Sequence, residues 1–258
     1  MTNERDSDTY VQSLARGLSV IRVFGSGQTQ MTLSEVAEAA AITRAGARRI
    51  LLTLQALGYV TLEDRQFRLT PKILSLGYSY LGSLDFWSFA EPAMQALVER
   101  VHESCSASVL DGDDIVYVLR VPTRRIIGIN LAVGSRLPAY VASMGRVLLA
   151  SLSPCELDDY LRTSTRKRLT DVTRCEPDDL RAAIAAAGAQ GWCLVDQELE
   201  EGLRSIAVPV RNRSGRVVAA MNISAHASRV SLDRMVSDLL PELQRAEREI
   251  DRALRLQS

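Results

Sequence analysis

Several groups of side chains in this 258-residue sequence have types and spacings suited to chemistry. Arg44, Arg48, Arg49, Arg65, Arg68 and Lys72 crowd into residues 43–72 against only Glu63 and Asp64, a local positive charge that suits a phosphate backbone. Ser205, Asn222 and Ser224 interrupt two apolar runs near the C-terminus. A few directed hydrogen-bonding groups on an apolar wall suit a small organic ligand better than a phosphate. Residues 137–145 precede a helix whose first N–H groups could receive an anionic oxygen, with Arg136 or Arg204 adding charge. Cys193 or Cys105 with His102 or His226 would make a nucleophile and its base, although Cys193 sits inside an apparent strand as a structural thiol would. The four cysteines, Cys105, Cys155, Cys175 and Cys193, lie far apart with no C-x-x-C pair, which argues against a zinc site or a disulfide framework; no metal and no cofactor is expected. The run Asp196, Glu198, Glu200 and Glu201 reads as a solvated acidic loop rather than a catalytic pair.

The basic cluster needs a scaffold, and the first 70 residues supply helix, turn, helix, turn, helix and hairpin. Ser13–Phe24 has an apolar helical rhythm stopped by Gly25-Ser26-Gly27. Thr32 with Glu35 forms a capping box for a short helix over Leu33–Ala40. Thr43 caps a longer helix from Arg44 to Leu57, closed by Gly58. On its wheel Ile50, Leu54 and Leu57 share the packing side, while Arg44, Ala45, Arg48 and Arg49 face away as a cationic surface narrow enough for the major groove of DNA. Tyr59–Leu62 and Phe67–Leu69 flank a polar tip in a hairpin. Candidate DNA contacts are therefore Thr32, Ser34, Thr43, Arg44, Ala45, Arg48 and Arg49 on the helices, with Arg65, Gln66 and Arg68 on the hairpin.

Residues 71–84 read as a linker helix whose leucines and tyrosines could pair with a second copy. From residue 85 the pattern becomes α+β with an antiparallel sheet. A helix over Pro92–Glu103 leads to strands at Ser106–Leu110 and Ile115–Val121 joined through Asp111-Gly112-Asp113-Asp114, and to a strand at Ile126–Leu131. Gly134–Ser143 reads as loop, followed by helices at Met144–Leu152, Pro154–Leu161 and Pro177–Ala187, the last ended by Gly188. Strands Arg204–Val210 and Arg216–Ser224 form a final hairpin, before a helix over Leu232–Leu256 that Pro241 breaks or kinks. With Asn212-Arg213-Ser214-Gly215 as its loop, that hairpin pairs Ile206 with Met221, Val208 with Ala219 and Val210 with Val217. On the opposite face it pairs Ser205 with Asn222 and Leu203 with Ser224, where a pocket could open.

Composition sets outer bounds. Apolar residues make up 47% and charged ones 24%, which excludes disordered and fibrous classes; no apolar run approaches a membrane span and the start is too polar for a secretory signal, so the expected place is the cytoplasm, with no membrane partner. Lys plus Arg equals Asp plus Glu at 31 each, so net charge alone is silent about nucleic acid.

Three stretches carry a resemblance over essentially the whole chain. LARGLSVIRVF with TLSEVAEAAAITRAGARRILLTLQALGYV, LPAYVASMGRVLLA, and GWCLVDQELEEGLRSIAVPVRNRSGRVVAAMNIS are similar to the IclR family of bacterial transcription regulators, most closely to its subgroup controlling protocatechuate and β-ketoadipate catabolism. The resemblance implies a mostly helical N-terminal winged helix-turn-helix (1–70), a linker and dimerisation helix (71–84) and a C-terminal α+β GAF-like effector domain (85–258). It implies operator DNA as partner, a homodimer or dimer of dimers, and a small-molecule effector of the aromatic or dicarboxylic acid class. Carried over by position, the recognition helix is Thr43–Leu57, the wing Tyr59–Leu69, and the effector pocket Ser143, Met144, Gly145, Asp196, Leu203, Ser205, Asn222 and Ser224. The sequence departs from the serine- or threonine-rich start of many family recognition helices, since Ala45-Gly46-Ala47 follow Arg44. Competing expectations are a cysteine-dependent enzyme and a ligand-binding module whose helical head contacts protein.

Overall fold

Local capping chemistry sets the second and third helices of the chain. In the computed structural model, which describes residues 9–25, 28–81, 87–123 and 131–256, Thr32 and Glu35 close a reciprocal capping box, and Thr43 Oγ1 accepts from the Gly46 N–H at 3.1 Å. Helices α2 (Leu33–Ala39) and α3 (Arg44–Ala56) result, while α1 (Gln12–Val23) starts after Val11 without a side-chain cap. Gly58, at φ 80°, turns the chain out of α3 into a hairpin of β2 (Val60–Glu63) and β3 (Gln66–Leu69), with Asp64 and Arg65 both left-handed at its tip. A two-residue strand β1 (Met31–Thr32), not foreseen, adds to β3 to give the order β1-β3-β2. The core of this unit is Val20, Phe24, Met31, Val36, Leu51, Leu54, Val60 and Phe67. One expectation for α3 is corrected: Ala47, Leu51 and Leu54 form its buried stripe, Ile50 is half-buried and Leu57 is exposed.

The chain divides into two compact units, residues 1–83 and 84–258. In the first, a 3-10 turn over Pro71–Ile73 leads into α4 (Leu74–Leu81), with Leu74, Leu76 and Tyr80 exposed.

The second unit is built on six antiparallel strands in the order β6-β5-β4-β9-β8-β7: β4 (Ser104–Asp111), β5 (Asp114–Val121), β6 (Arg136–Pro138), β7 (Cys193–Asp196), β8 (Leu203–Arg211) and β9 (Val217–His226). One face carries α6 (Ser143–Leu149), backed by α7 (Pro154–Thr163) and α8 (Pro177–Gln190); α5 (Trp87–Val101) and α10 (Leu240–Leu256) pack on the other. Short α9 (Leu232–Arg234) and a π turn over Met235–Leu239 precede α10. Proline at 241 has no N–H for the carbonyl four residues back, and the extra residue of a π turn accommodates that mismatch.

Several boundaries are corrected. The stretch 134–143, expected as loop, contains β6 and a 3-10 turn over Ala139–Val141. Helix α8 runs through Gly188 and ends at Gly191, which takes φ 77°. Helix α5 begins at Trp87, five residues before Pro92. The expected strand at 126–131 falls, but for Leu131, outside the described residues.

The last hairpin differs in register by two. Ser205 pairs with Ser224, Ile206 with Ile223, Ala207 with Asn222, Val208 with Met221 and Val210 with Ala219. Asn212 draws Arg216 into the turn through the bonds Asn212 N to Arg216 O and Arg216 N to Asn212 Oδ1, so Arg211 pairs with Val217. A bulge between Val210 and Arg211 contributes the second residue of the shift. An even shift preserves the faces: Ile206, Val208, Met221 and Ile223 turn to one side, Ser205, Asn222 and Ser224 to the other, as the sequence pattern required.

Candidate functional site

Two surfaces carry functional chemistry, one in each unit. On the first, Arg44, Ala45, Arg48 and Arg49 are exposed along α3, with Arg65 exposed at the hairpin tip. None of these arginines forms an ion pair among the described residues. The other expected contacts are placed differently. Arg68 Nη2 donates to Glu63 Oε1 at 2.6 Å across the hairpin, which offsets its charge locally. Thr32 is occupied with its capping box, the half-buried Gln66 pairs with Thr32 and Glu63 in the sheet, and Ser34 and Thr43 are exposed. Lys72, part of the basic cluster by sequence, turns back to donate to Leu57 O at 2.8 Å and lies over the Tyr59 ring, so its charge sits at the negative C-terminal end of α3. Of the basic cluster in residues 43–72, the free cations are thus on the outward face of α3 and on the tip.

In the second unit, the strand face under α6 is rich in small hydroxyls. Serines alternate along β4, so Ser104, Ser106 and Ser108 share the face that holds Ser205, Asn222 and Ser224. Ser143 Oγ lies 2.8 Å from Ser205 Oγ, and Ser108 donates to Met144 Sδ at 3.3 Å, which fixes α6 over the sheet. Between them lies a small cavity that opens to solvent. Ser143, Met144, Leu203, Ser205, Asn222 and Ser224 line it together; Gly145 and Asp196 do not. Gly145 serves packing instead, because a Cβ there would lie 2.0 Å from Ala139 O. Asp196 is held by Arg204, whose Nε donates to Oδ1 at 2.5 Å.

Sequence reasoning missed three of the polar lining groups, Ser104, Tyr117 and Arg120, and the apolar walls from Leu131, Leu137, Val195 and Leu199. Arg120 interrupts the apolar run of β5, and the alternation Ser-Cys-Ser-Ala-Ser in β4 signals a polar face, so both left a trace. Arg120 faces the cavity with one long bond, Nη1 to Ser106 Oγ at 3.4 Å. The arginines expected to supply charge do not line it: Arg136 pairs with Asp111 and Asp114 at the β4–β5 turn, and Arg204 is taken by Asp196 and the Val230 carbonyl. Burial pushes the Tyr117 phenol up to about 12, against the pull of Arg120, so it lines the cavity as a neutral hydroxyl.

The acidic run expected as a solvated loop is partly structural. Glu198, 6% exposed, receives two bonds from the 1% exposed Arg146, Nη1 to Oε1 at 2.7 Å and Nη2 to Oε2 at 2.5 Å, and a third from the Arg174 N–H at 2.9 Å. Arg146 Nε also donates to Tyr140 O. This forked pair ties α6 to the segment bearing Leu199, so it holds two walls of the cavity together. The two candidate thiols, Cys193 and Cys105, are unsuited to nucleophilic work. Burial pushes Cys193 up to about 11 and Cys105 higher still, and the charged groups acting on Cys193 are Arg146, Glu198 and Arg174, with no histidine among them.

Comparison with known proteins places this geometry. A model of the IclR helix-turn-helix domain matches residues 13–64, and one of the bacterial transcriptional regulator IclR C-terminal domain matches residues 78–252. The chain is 43% identical over 242 residues to the Pca regulon regulatory protein of Pseudomonas putida, covering 93% of this chain and 83% of that one. It is 32% identical over 254 residues to the p-hydroxybenzoate hydroxylase transcriptional activator of Acinetobacter baylyi, covering 96% and 94%. Among solved structures, a transcriptional regulator from Rhodococcus sp. RHA1 superposes with a TM-score of 0.86 at 54% identity, covering 95% of this chain and 98% of that one. An IclR homolog from Microbacterium hydrocarbonoxydans, complexed with 4-hydroxybenzoate, superposes with a TM-score of 0.85 at 26% identity, covering 95% and 100%.

Proposed function

The chain belongs to the IclR family of bacterial transcriptional regulators, and on that premise we propose that it is a sequence-specific DNA-binding regulator of an aromatic-compound catabolic operon, governed by a small organic acid bound between α6 and the sheet. The observation that carries the DNA half is the set of unpaired cations on the exposed face of α3, Arg44, Arg48 and Arg49, beside the backbone of Ala45, where nothing bulky stands in the way. A helix of that width enters a major groove, arginines reach guanine edges or phosphates, and the hairpin tip with Arg65 follows the adjacent backbone. The effector half is supported by the cavity, with its apolar wall, hydroxyl-rich floor and Arg120 cation.

In this reading residues 1–70 bind DNA, 71–84 link and dimerise through exposed Leu74, Leu76 and Tyr80, and 85–258 sense the effector. Two heads in a symmetric dimer read half-sites about one helical turn, or a multiple of it, apart. The effector is an aromatic or dicarboxylic acid. It changes operator affinity only as far as it binds the DNA-competent and DNA-incompetent arrangements unequally.

The test is a DNA titration by fluorescence anisotropy on the intergenic sequence beside the chain's own gene. Arg44→Ala and Arg48→Ala each weaken specific binding by about tenfold, in the range of a lost bidentate base contact. Full binding retained in the double variant, with the fold intact by circular dichroism, would contradict the assignment.

A further inference from the structure

Arginine and glutamate are almost never fully buried unless they are paired, and Arg146 with Glu198 is such a pair, at 1% and 6% exposure. Arg146 Nε donates to Tyr140 O at 2.9 Å while both terminal nitrogens donate to the Glu198 carboxylate, and Glu198 Oε2 also takes the Arg174 N–H. The backbone around Glu198 is held from a second side. Thr170 Oγ1 donates to Gln197 O at 2.8 Å and Thr173 Oγ1 to Glu198 O at 2.7 Å. Gln197 itself takes φ 59°, and its side-chain oxygen accepts from the Gly202 N–H at 3.0 Å, which closes the loop on itself.

Stability alone does not call for charge at this place. Removing two ions from water costs roughly what their attraction regains, so apolar side chains of similar volume often replace a buried pair without loss. A fork meeting a carboxylate supplies something else, a fixed distance and a fixed plane. Both ends of this one carry walls of the cavity. Arg146 stands on α6, whose first residues Ser143 and Met144 line it, and Glu198 directly precedes Leu199, which lines it from the facing loop. Arg146 and Glu198 are not themselves among the lining residues. Resting on the reading of this cavity as the effector site, we infer that Arg146 and Glu198 are positioning residues for the effector. They form a strut that sets the span between α6 and Leu199, and so the tightness with which a ligand is held, without touching it. A binding geometry has to be kept to within about 0.5 Å by the groups behind it, and the strut does this on the side where α6 faces the loop.

The test separates ligand affinity from stability. Arg146→Met combined with Glu198→Gln removes both charges at similar volume and leaves an amide oxygen to accept the Arg174 N–H. The full-length parent and variant are titrated by calorimetry with 4-hydroxybenzoate, protocatechuate, benzoate and adipate, and their thermal unfolding is followed without ligand. The double variant melts within a few degrees of the parent but binds the acid that the parent prefers about tenfold or more weakly. Glu198→Asp keeps the charge, draws the carboxylate back by one methylene and weakens binding in the same direction. Parent-like affinity in the folded double variant or in Glu198→Asp would overturn the inference and leave the effector site standing. A double variant that melts far below the parent, or does not fold, would make the pair a stability element and overturn it as well. No binding of any of the four acids by the parent would instead remove the effector reading, and the strut's role with it.

Discussion

Cys193 illustrates how burial decides what a residue can do. Its thiol ordinarily ionises near 9 and is pushed up to about 11, because the thiolate would sit in the core beneath α6. Only roughly one such thiol in a thousand is ionised at pH 8. Iodoacetamide at pH 8 should therefore label exposed Cys155 first and leave Cys105 and Cys193 unmodified until the chain is unfolded, as peptide mass mapping will read. Rapid labelling of Cys193 in the folded protein would revive the nucleophile that its surroundings deny. The sign of the linkage also follows. Since folding raises the pKa, this thiol's contribution to stability is intact below about 9 and is lost as the pH climbs through 11. The same reasoning separates cations of one type: Arg68 is offset by Glu63 and Lys72 closes a helix, whereas Arg44, Arg48 and Arg49 stay available.

Elements were legible in the sequence wherever their signal is local. Thr32 with Glu35 and Thr43 with Gly58 marked the helices of the head correctly, because a cap and its helix lie within a few residues. What escaped depends on partners distant in the chain. Strand β1 exists only because Met31 meets Phe67; Arg120 belongs to the cavity only because β4 and β9 bring Asn222 alongside; Glu198 is buried only because Arg146 reaches it. The last hairpin shows both sides, since alternation fixed its faces while turn length and a bulge set its register. Thr43→Ala removes the acceptor for the Gly46 N–H and lowers the stability of the head by about 1 kcal/mol in urea unfolding, with Thr43→Ser retaining most of it. Gly145→Ala forces a methyl onto the Ala139 carbonyl and costs about 1–3 kcal/mol in the sensing unit. A Gly145→Ala protein as stable as the parent would mean that α6 does not sit against that turn.

At the scale of the whole molecule, the proposed regulator has a cationic helix in one compact unit and its proposed effector cavity in the other. Neither feature alone makes a regulator. The joining claim is thermodynamic: a ligand in the cavity changes DNA affinity by a finite coupling, and DNA changes ligand affinity by the same factor. Counterion release gives the DNA half its own signature, a straight fall of log K with log salt whose slope reports the number of phosphates neutralised. Those two properties meet in one experiment, the anisotropy titration of operator DNA by the full-length protein across a salt series, with and without saturating 4-hydroxybenzoate or protocatechuate, in the parent and in Arg120→Met. The account predicts a steep salt slope, a shift of about fivefold or more in operator Kd on adding the bound acid, and loss of that shift in Arg120→Met at unchanged ligand-free DNA affinity. Binding that ignores salt, or an operator affinity indifferent to an acid that calorimetry shows to be bound, would contradict it.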